Sequence, residues 1–286
     1  MARAHHATDG DVVHEQPPDE RLLLAVDISN TGIKFGLYPL ASRELRARWR
    51  IATNREKTSD EYAMLLAELC RSAGIGVDAI AATIVSSVVP PLTPVFQEMG
   101  TRYLGREPIV VTHAMDLGIR LLVDNPRETG TDRIISTLAA HRLYGGPAIV
   151  IQFGTATSFD CVSAEGDYLG GAIAPGLGIS AEALARTASQ LYQVELTPPP
   201  AAIGKNTIQN MQSGIVFGHA AMVEGMVARL RRELPGGERA KVIAHGGLSE
   251  LVARVTPSIE TVDPNLILNG LRLVYGRLHE REMRNT

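Results

Sequence analysis

An α/β fold with an internal duplication is predicted by three observations. First, an apolar run at residues 22–26 delivers Asp27 to its end, Ser29-Asn30-Thr31-Gly32 turns the chain, and Ile33, Phe35 and Leu37 then alternate with Lys34 and Gly36. This is the pattern of strand, tight turn and strand. Second, the pattern returns over residues 148–163, with Gln152, Phe153, Gly154 and Thr155 standing where Asp27, Ile28, Ser29 and Asn30 stood. Third, Val242-Ile243-Ala244 runs as a strand into His245-Gly246-Gly247 and a helical pattern over 248–255, a glycine pair whose backbone admits close approach of a flat ring or sugar. A carboxylate followed by hydroxyl, amide and glycine offers an anion to a metal ion and donors to polyphosphate oxygens. Two such hairpins point to a duplicated domain with a nucleotide between the halves; each hairpin alone reads equally as ordinary turn chemistry.

Composition narrows the partners. The 286 residues, 45% apolar and 21% charged, fit a soluble globular chain of two domains. With a net charge of −3 and no Lys/Arg cluster, neither nucleic acid nor anionic lipid is indicated, and a small molecule is the expected partner. The two cysteines, Cys70 in a helical pattern and Cys161 in a strand pattern, make neither a disulfide framework nor a metal site and fit a reducing cytosol. Residues 1–20 lack an apolar stretch and read as a disordered leader, with His5-His6 part of a solvated tail; no run is long enough to span a membrane.

In chain order, residues 45–53 read as a further strand. Its Arg48-Trp49-Arg50 sets an aromatic between two cations, an edge-strand face rather than base stacking in the absence of a wider basic field. Ser59-Asp60-Glu61 opens a helix through Tyr62, Leu65, Leu66 and Leu69 that closes near Gly74. Residues 79–89 form an apolar run, a strand buried on both faces, ended by Pro90-Pro91. A helix over 92–104 and a strand over 108–112 follow. The turn-rich stretch 123–133 passes directly into a helical run at 134–143, which puts Thr131 or Asp132 at a helix N-terminus. Asp132 there is either an N-cap, stabilising by ~1 kcal/mol, or, with Arg133, a base beside an anion anchor.

Gly145-Gly146-Pro147 marks a boundary between domains at 21–145 and 146–286. Beyond the second hairpin a glycine-rich stretch, 170–180, precedes a helix over 181–191. Its Gly176-Leu177-Gly178-Ile179-Ser180-Ala181 matches the dinucleotide fingerprint weakly, because Pro175 interrupts the required strand and no acidic partner follows. Gly204-Lys205-Asn206-Thr207 lacks the earlier glycine of a P-loop, and Asn206 takes the Ser/Thr place. Met211, Ile215, Val216 and residues 222–230 give an apolar helix face suited to core or dimer surface, and a last helix over 265–281 turns Leu266, Leu268, Leu271, Leu273, Val274 and Leu278 inward. His113, His141, His219, His245 and His279 show no ligand spacing and read as structural or exposed.

Asp27-Ile28-Ser29-Asn30-Thr31-Gly32-Ile33-Lys34, Gly130-Thr131-Asp132-Arg133, Gly154-Thr155-Ala156-Thr157 with Asp160, Gly170-Gly171-Ala172-Ile173-Ala174-Pro175-Gly176 and Gly204-Lys205-Asn206-Thr207 stand in an order and spacing that resembles the type III pantothenate kinases, over nearly all of residues 22–280. The resemblance implies two ribonuclease H-like domains of the acetate and sugar kinase/Hsc70/actin superfamily (the actin-like ATPase, or ASKHA, fold) with an interdomain nucleotide cleft. It implies a cytoplasmic homodimer that completes its substrate site, moving the γ-phosphate of ATP to pantothenate with Mg²⁺ and a monovalent cation, K⁺ or NH₄⁺, to give 4′-phosphopantothenate, the first step of coenzyme A synthesis. By matching positions, Asp27, Ile28, Ser29, Asn30, Thr31, Gly32, Ile33 and Lys34 would hold the ATP phosphates, with Asp27 meeting Mg²⁺ through them, and Thr155 would add a phosphate contact. Asp132 would be the base; Gly130, Thr131, Asp132 and Arg133 would bind pantothenate, with Thr187 a further contact and Gln152 at the monovalent-cation position.

Three positions depart from the family pattern. Ser29 replaces a usual glycine, predicting a crowded loop or strained turn. Val123 replaces a tyrosine that lines the pantothenate site in many relatives. Gln152 replaces an aspartate that helps hold the cation, predicting weakened or absent K⁺ dependence. These departures leave open a catalytically weak paralogue that binds nucleotide or pantothenate in a regulatory role. A sugar or acetate kinase is disfavoured, since those substrates give no reason for Asp132-Arg133 followed by Thr187.

Overall fold

The computed structural model of the protein describes residues 21–188 and 191–285, with side chains to residue 280. The leader expected at 1–20 lies outside the described residues.

The first sheet contains β1 (Leu22–Ile28), β2 (Gly32–Pro39), β3 (Ala47–Ala52), β4 (Ile80–Ser87) and β5 (Ile109–Val110) in the order β3-β2-β1-β4-β5. β1, β2 and β3 form an antiparallel meander, and β4 and β5 run parallel to β1. The second sheet contains β6 (Ala148–Phe153), β7 (Ala156–Val162), β8 (Tyr168–Pro175), β9 (Lys241–Gly246) and β10 (Thr261–Val262) in the order β10-β9-β6-β7-β8 with the same pairing senses. Strand for strand the second sheet repeats the first, so the duplication read from two hairpins extends to whole sheets.

The helices are α1 (Ser59–Ser72), α2 (Thr93–Tyr103), α3 (Thr131–Tyr144), α4 (Leu177–Thr187), α5 (Thr207–Gln212), α6 (Gly218–Glu233), α7 (Ser249–Ala253) and α8 (Leu266–Asn285). α1 opens on a capping box in which the Thr58 hydroxyl accepts from the Glu61 N–H and the Glu61 carboxylate accepts from the Thr58 N–H, satisfying two donors that the first turn leaves free. α1 and α2 cover the outer face of the first sheet, where Tyr62, Leu66 and Phe96 meet Leu24, Val26 and Phe35. α4 to α7 cover the outer face of the second, burying Ile149, Ile151 and Phe159.

Between the sheets lie α3 and α8. Ile134, Ile135 and Leu138 of α3 and Ile267, Leu271 and Val274 of α8 pack on Leu23, Ala25 and Ile84 of the first sheet. Ala139, Ala140 and Leu266 pack on Val150, Val162 and Ile243 of the second. α8, from the far side of the 145/146 boundary, thus shares its core with β1 and β4. Gly270 brings the two helices together: a Cβ there would lie 2.5 Å from Ile135 Cγ2 and 2.6 Å from its carbonyl oxygen.

The glycine-rich stretch is not all loop. Residues 168–175 form β8 against β7, and the next helix starts at Leu177 and ends at Thr187, not over 181–191. Gly171 serves close packing: a Cβ there would overlap the carbonyl of Phe159 at 1.7 Å. The short strand β5 covers two residues of the expected 108–112, and β10 has no counterpart in the sequence reading.

Candidate active site

Asp27 lies at the end of β1 on the face shared with Leu23 and Ala25, towards α3 and α8. It is 2% exposed. One carboxylate oxygen, Oδ2, accepts from the Ser29 hydroxyl at 3.2 Å and stands 3.7 Å from Lys34 Nζ, whereas the buried Oδ1 has no partner. Burial pushes its pKa up to about 6, with the charge of Asp132 adding and Lys34 opposing. In the turn, the Ser29 N–H donates to the Gly32 carbonyl at 3.1 Å and the Thr53 hydroxyl donates to the Ser29 carbonyl at 2.6 Å. No described residue other than glycine has positive φ, so the strained turn expected at Ser29 is absent. The serine instead adds a donor to Asp27.

α3 brings Asp132 to the same place. Gly130 is the N-cap and has no side chain to offer, so Asp132 is not a cap. Its Oδ1 accepts from the Arg133 N–H at 2.9 Å and its Oδ2 from Gln152 Nε2 at 3.2 Å. That bond fixes the amide, because only its NH₂ can face a carboxylate; Gln152 Oε1 is left buried and without a partner. Beside Gln152 in the β6–β9 ladder, His245 is buried with both ring nitrogens unpaired, and burial, followed by the charge of Lys34, brings its pKa down to about 3.

Arg133 makes no surface pair with Asp132. Its Nε and Nη2 reach Asp160 Oδ1 at 2.9 and 2.6 Å. Asp160 also accepts from Tyr168 Oη at 2.8 Å and Ser158 Oγ at 3.1 Å. The guanidinium is therefore held in place from behind.

A cavity of about 250 Å³ joins these parts. Its walls include Ser29, Asn30, Thr31, Gly32 and Lys34 from the first hairpin, Asp132 and Arg133 from α3, and Gln152 and Thr155 from the second hairpin. Gly176 closes under the second turn, where a Cβ would lie 2.5 Å from the carbonyl oxygens of Gly154 and Thr155. The expected glycine pair also lines it: Gly246, at φ +101°, passes so close to Phe153 that a Cβ would lie 2.3 Å from its carbonyl oxygen, while Gly247 faces open space.

Other expected residues fall elsewhere. Ile28 and Ile33 are fully buried in the outer core of the first sheet. Gly130 and Thr131 lie at the start of α3 but not in the cavity wall, with Thr131 Oγ1 3.3 Å from Ser86 Oγ. Thr187 is exposed at the end of α4, its hydroxyl donating to the Ala183 carbonyl of its own helix, and takes no part in this chain's cleft. Val123 stands over Gly170 of β8. Arg50, Val88, Ser158 and Ile173 line the cavity without having been expected there. For Arg50 the signal was the alternation along β3, which sets it opposite Trp49 and Ile51.

Two ribonuclease H-like halves that turn phosphate-sized hairpins towards one cleft, with a fixed carboxylate at a helix mouth between them, define a kinase-type fold of the acetate and sugar kinase/Hsc70/actin class. Solved structures share this architecture. A Baf family protein from Campylobacter jejuni, described as a transcriptional activator, superposes with a TM-score of 0.57 at 16% identity, covering 90% of this chain and 99% of its own. The inorganic polyphosphate/ATP-glucomannokinase of Arthrobacter sp. strain KM does so with a TM-score of 0.50 at 15% identity, covering 91% and 99%; at such identities the likeness is one of fold. The sequence profile of the type III pantothenate kinases matches residues 23–229. A relative named type III pantothenate kinase, from Roseiflexus sp. (strain RS-1), is 51% identical over 254 residues, 89% of this chain and 98% of its own. The chain belongs to the type III pantothenate kinase family.

The orphaned oxygen of Asp27 has a consequence for stability. Because its folded-state pKa, about 6, lies above the ordinary 3.8, the ligand-free protein holds this proton more tightly than the unfolded chain does. The resulting stabilisation is complete below about pH 4 and is lost as the pH rises through about 6, a difference of roughly 3 kcal/mol at neutral pH. Asp27→Asn is therefore expected to melt at a higher temperature than the parent at pH 7.5 but not at pH 4, while losing affinity for Mg²⁺-nucleotide. Equal melting temperatures at pH 7.5 would show that the buried carboxylate is satisfied in the free protein.

Proposed function

We propose that the protein transfers the γ-phosphoryl group of ATP to pantothenate, giving 4′-phosphopantothenate, the first step of coenzyme A synthesis. The observation that carries this reading is the Asp132 carboxylate, held at the mouth of α3 by the Arg133 N–H and Gln152 and facing both hairpin turns across one cavity. In the reaction the pantothenate hydroxyl oxygen bonds to the γ-phosphorus, the bond from that phosphorus to the β–γ bridging oxygen breaks with its electrons going to ADP, and Asp132 takes the hydroxyl proton. The transition state is loose, so the work is in-line positioning and charge neutralisation more than proton abstraction. The turn amides and Lys34 hold the phosphates, and Thr155 meets them from the second hairpin. Arg133, anchored on Asp160 through Nε and Nη2, keeps Nη1 for the pantothenate carboxylate.

The unpaired Oδ1 of Asp27 fits a metal ion carried in by the triphosphate. Among the described residues no three His, Cys, Asp or Glu side chains gather as a metal site, so most of the ion's ligands would come from nucleotide and water. Mg²⁺ there supplies charge neutralisation. For K⁺ or NH₄⁺ the fit is poorer: Gln152 Oε1 is a single neutral oxygen.

The protein acts as a cytoplasmic homodimer in this reading. Ile173 and Ile203, 65% and 76% exposed, together with Ile179, Leu184, Tyr192 and Ile208, make the segment around α4 unusually apolar for a surface. Thr187 lies within it, and self-association there carries Thr187 to the other subunit's cleft. The regulatory reading has less behind it: Ser29 is accommodated and Asp132 is held.

ATP turnover assayed against pantothenate, acetate and hexoses is expected to give ADP only with pantothenate, and Asp132→Asn to lower kcat by about 10²-fold or more while nucleotide still binds. Turnover of acetate or a hexose alone, or an unimpaired mutant, would overturn the assignment. Replacing NaCl by KCl at constant ionic strength is expected to leave the rate nearly unchanged; strong activation would mean that Gln152 recruits the cation after all. Ile203→Glu is expected to sediment as a monomer and to raise the KM for pantothenate, whereas a mutant that stays dimeric places the contact elsewhere.

A further inference from the structure

The charges around the cleft are equal in number but not all paired. Lys34 is matched by Asp27 at 3.7 Å and Arg133 by Asp160 at 2.6 Å. Asp132 adds a carboxylate with no cation of its own. The third cation in the cavity wall, Arg50, has no hydrogen bond or ion pair among the described residues. It is nonetheless placed. It stands opposite Lys34 in the β2–β3 ladder, and its guanidinium lies on Gly32 in the first hairpin, where a Cβ would meet Nε at 2.7 Å and Nη2 at 2.9 Å. The neighbouring Arg48 differs, donating to Asn265 Oδ1 at 2.7 Å.

Position along the cleft tells which part of a ligand Arg50 meets. A second cavity of about 320 Å³ shares Lys34, Arg50, Gly246 and Gly247 with the first and continues past Pro264, Asn265 and Leu268. Asp132, Arg133 and Thr155 line the first cavity and not the second. Arg50 therefore stands at the junction, away from the acceptor end.

We propose that Arg50 binds the non-transferred phosphates of the nucleotide. The proposal rests on the reading of the cleft as the ATP site and adds a residue to it. A planar guanidinium offers paired donors to phosphate oxygens, and one without a protein partner keeps those donors free in a cleft whose other cations are already matched. During transfer, negative charge gathers on the β-phosphate of the departing ADP, and Arg50 stands on that side.

The test is equilibrium binding of ATP, ADP and adenosine to the full-length protein, with Arg50→Gln and Arg50→Lys compared with the parent and folding checked by circular dichroism. Arg50→Gln is expected to weaken ATP and ADP by about tenfold or more and to leave adenosine and the KM for pantothenate unchanged, with Arg50→Lys recovering part of the loss. Unchanged ATP and ADP affinity in Arg50→Gln, or an equal loss for adenosine, overturns the role of Arg50 while leaving the nucleotide site intact. A parent protein that binds no ATP overturns the site and the proposal together.

Discussion

The geometry of the cleft depends on one helix that belongs to both sheets. α3 buries Ile134, Ile135 and Leu138 on the first sheet and Ala139 and Ala140 on the second, and Gly270 of α8 leaves it no room to move sideways. Interiors this close are not continuously deformable, so the N-terminus of α3 is fixed in the gap between the β1–β2 and β6–β7 turns. Gly130 takes the cap position; Asp132, inside the first turn, accepts from the Arg133 N–H of its own helix on Oδ1 and keeps Oδ2 for Gln152 across the cleft.

Two kinds of buried polar group surround this point, and they differ in how far they are satisfied. Behind Arg133, Asp160 accepts from the guanidinium, Tyr168 and Ser158, a network with its partners in place. In front, Asp27 Oδ1, Gln152 Oε1 and both nitrogens of His245 have none. Satisfied groups rigidify and unsatisfied ones destabilise. The contrast separates scaffold from binding surface without reference to any ligand: the network that positions is complete, and the face that receives is not. Stability is held back there, and a ligand that satisfies these groups would restore it.

Much of this was legible in the residues, for reasons of pattern. Both hairpins announce themselves because a strand buried on both faces ends abruptly in a small polar turn, and Asp132 because a turn-rich stretch runs straight into a helix. β8 was harder to read, since Gly171 is there to let β7 approach and Gly170 to take a φ of +99°, and neither carries a periodicity of its own. α3 shows little amphipathic stripe because nearly all of 131–140 is buried between two sheets. The return of α8 to the first sheet is a matter of which apolar face finds which, and a one-dimensional pattern is silent on it. Ile28 and Ile33 sat inside a binding motif yet point outward into the α1–α2 core, as strict alternation along a strand requires. Ser29 was expected to strain its turn; its actual φ is not positive, a property set by the hydrogen bonds of the turn and not by the residue type.

Gln152 shows how an amide in this cleft can orient a carboxylate without a cation. A carboxylate at this position would face Asp132 across a distance at which two like charges repel, and would need a cation to bridge them. The amide needs no bridge, because its own NH₂ makes the 3.2 Å contact to Asp132 Oδ2. The amide carries no charge, and the orientation of Asp132 is supplied by a neutral donor on β6. The amide's Oε1 is buried beside His245, the neutral imidazole next to it in the ladder. Where a carboxylate asks for an ion, this amide oxygen asks only for a hydrogen-bond donor, which water or a ligand hydroxyl can provide at far lower desolvation cost.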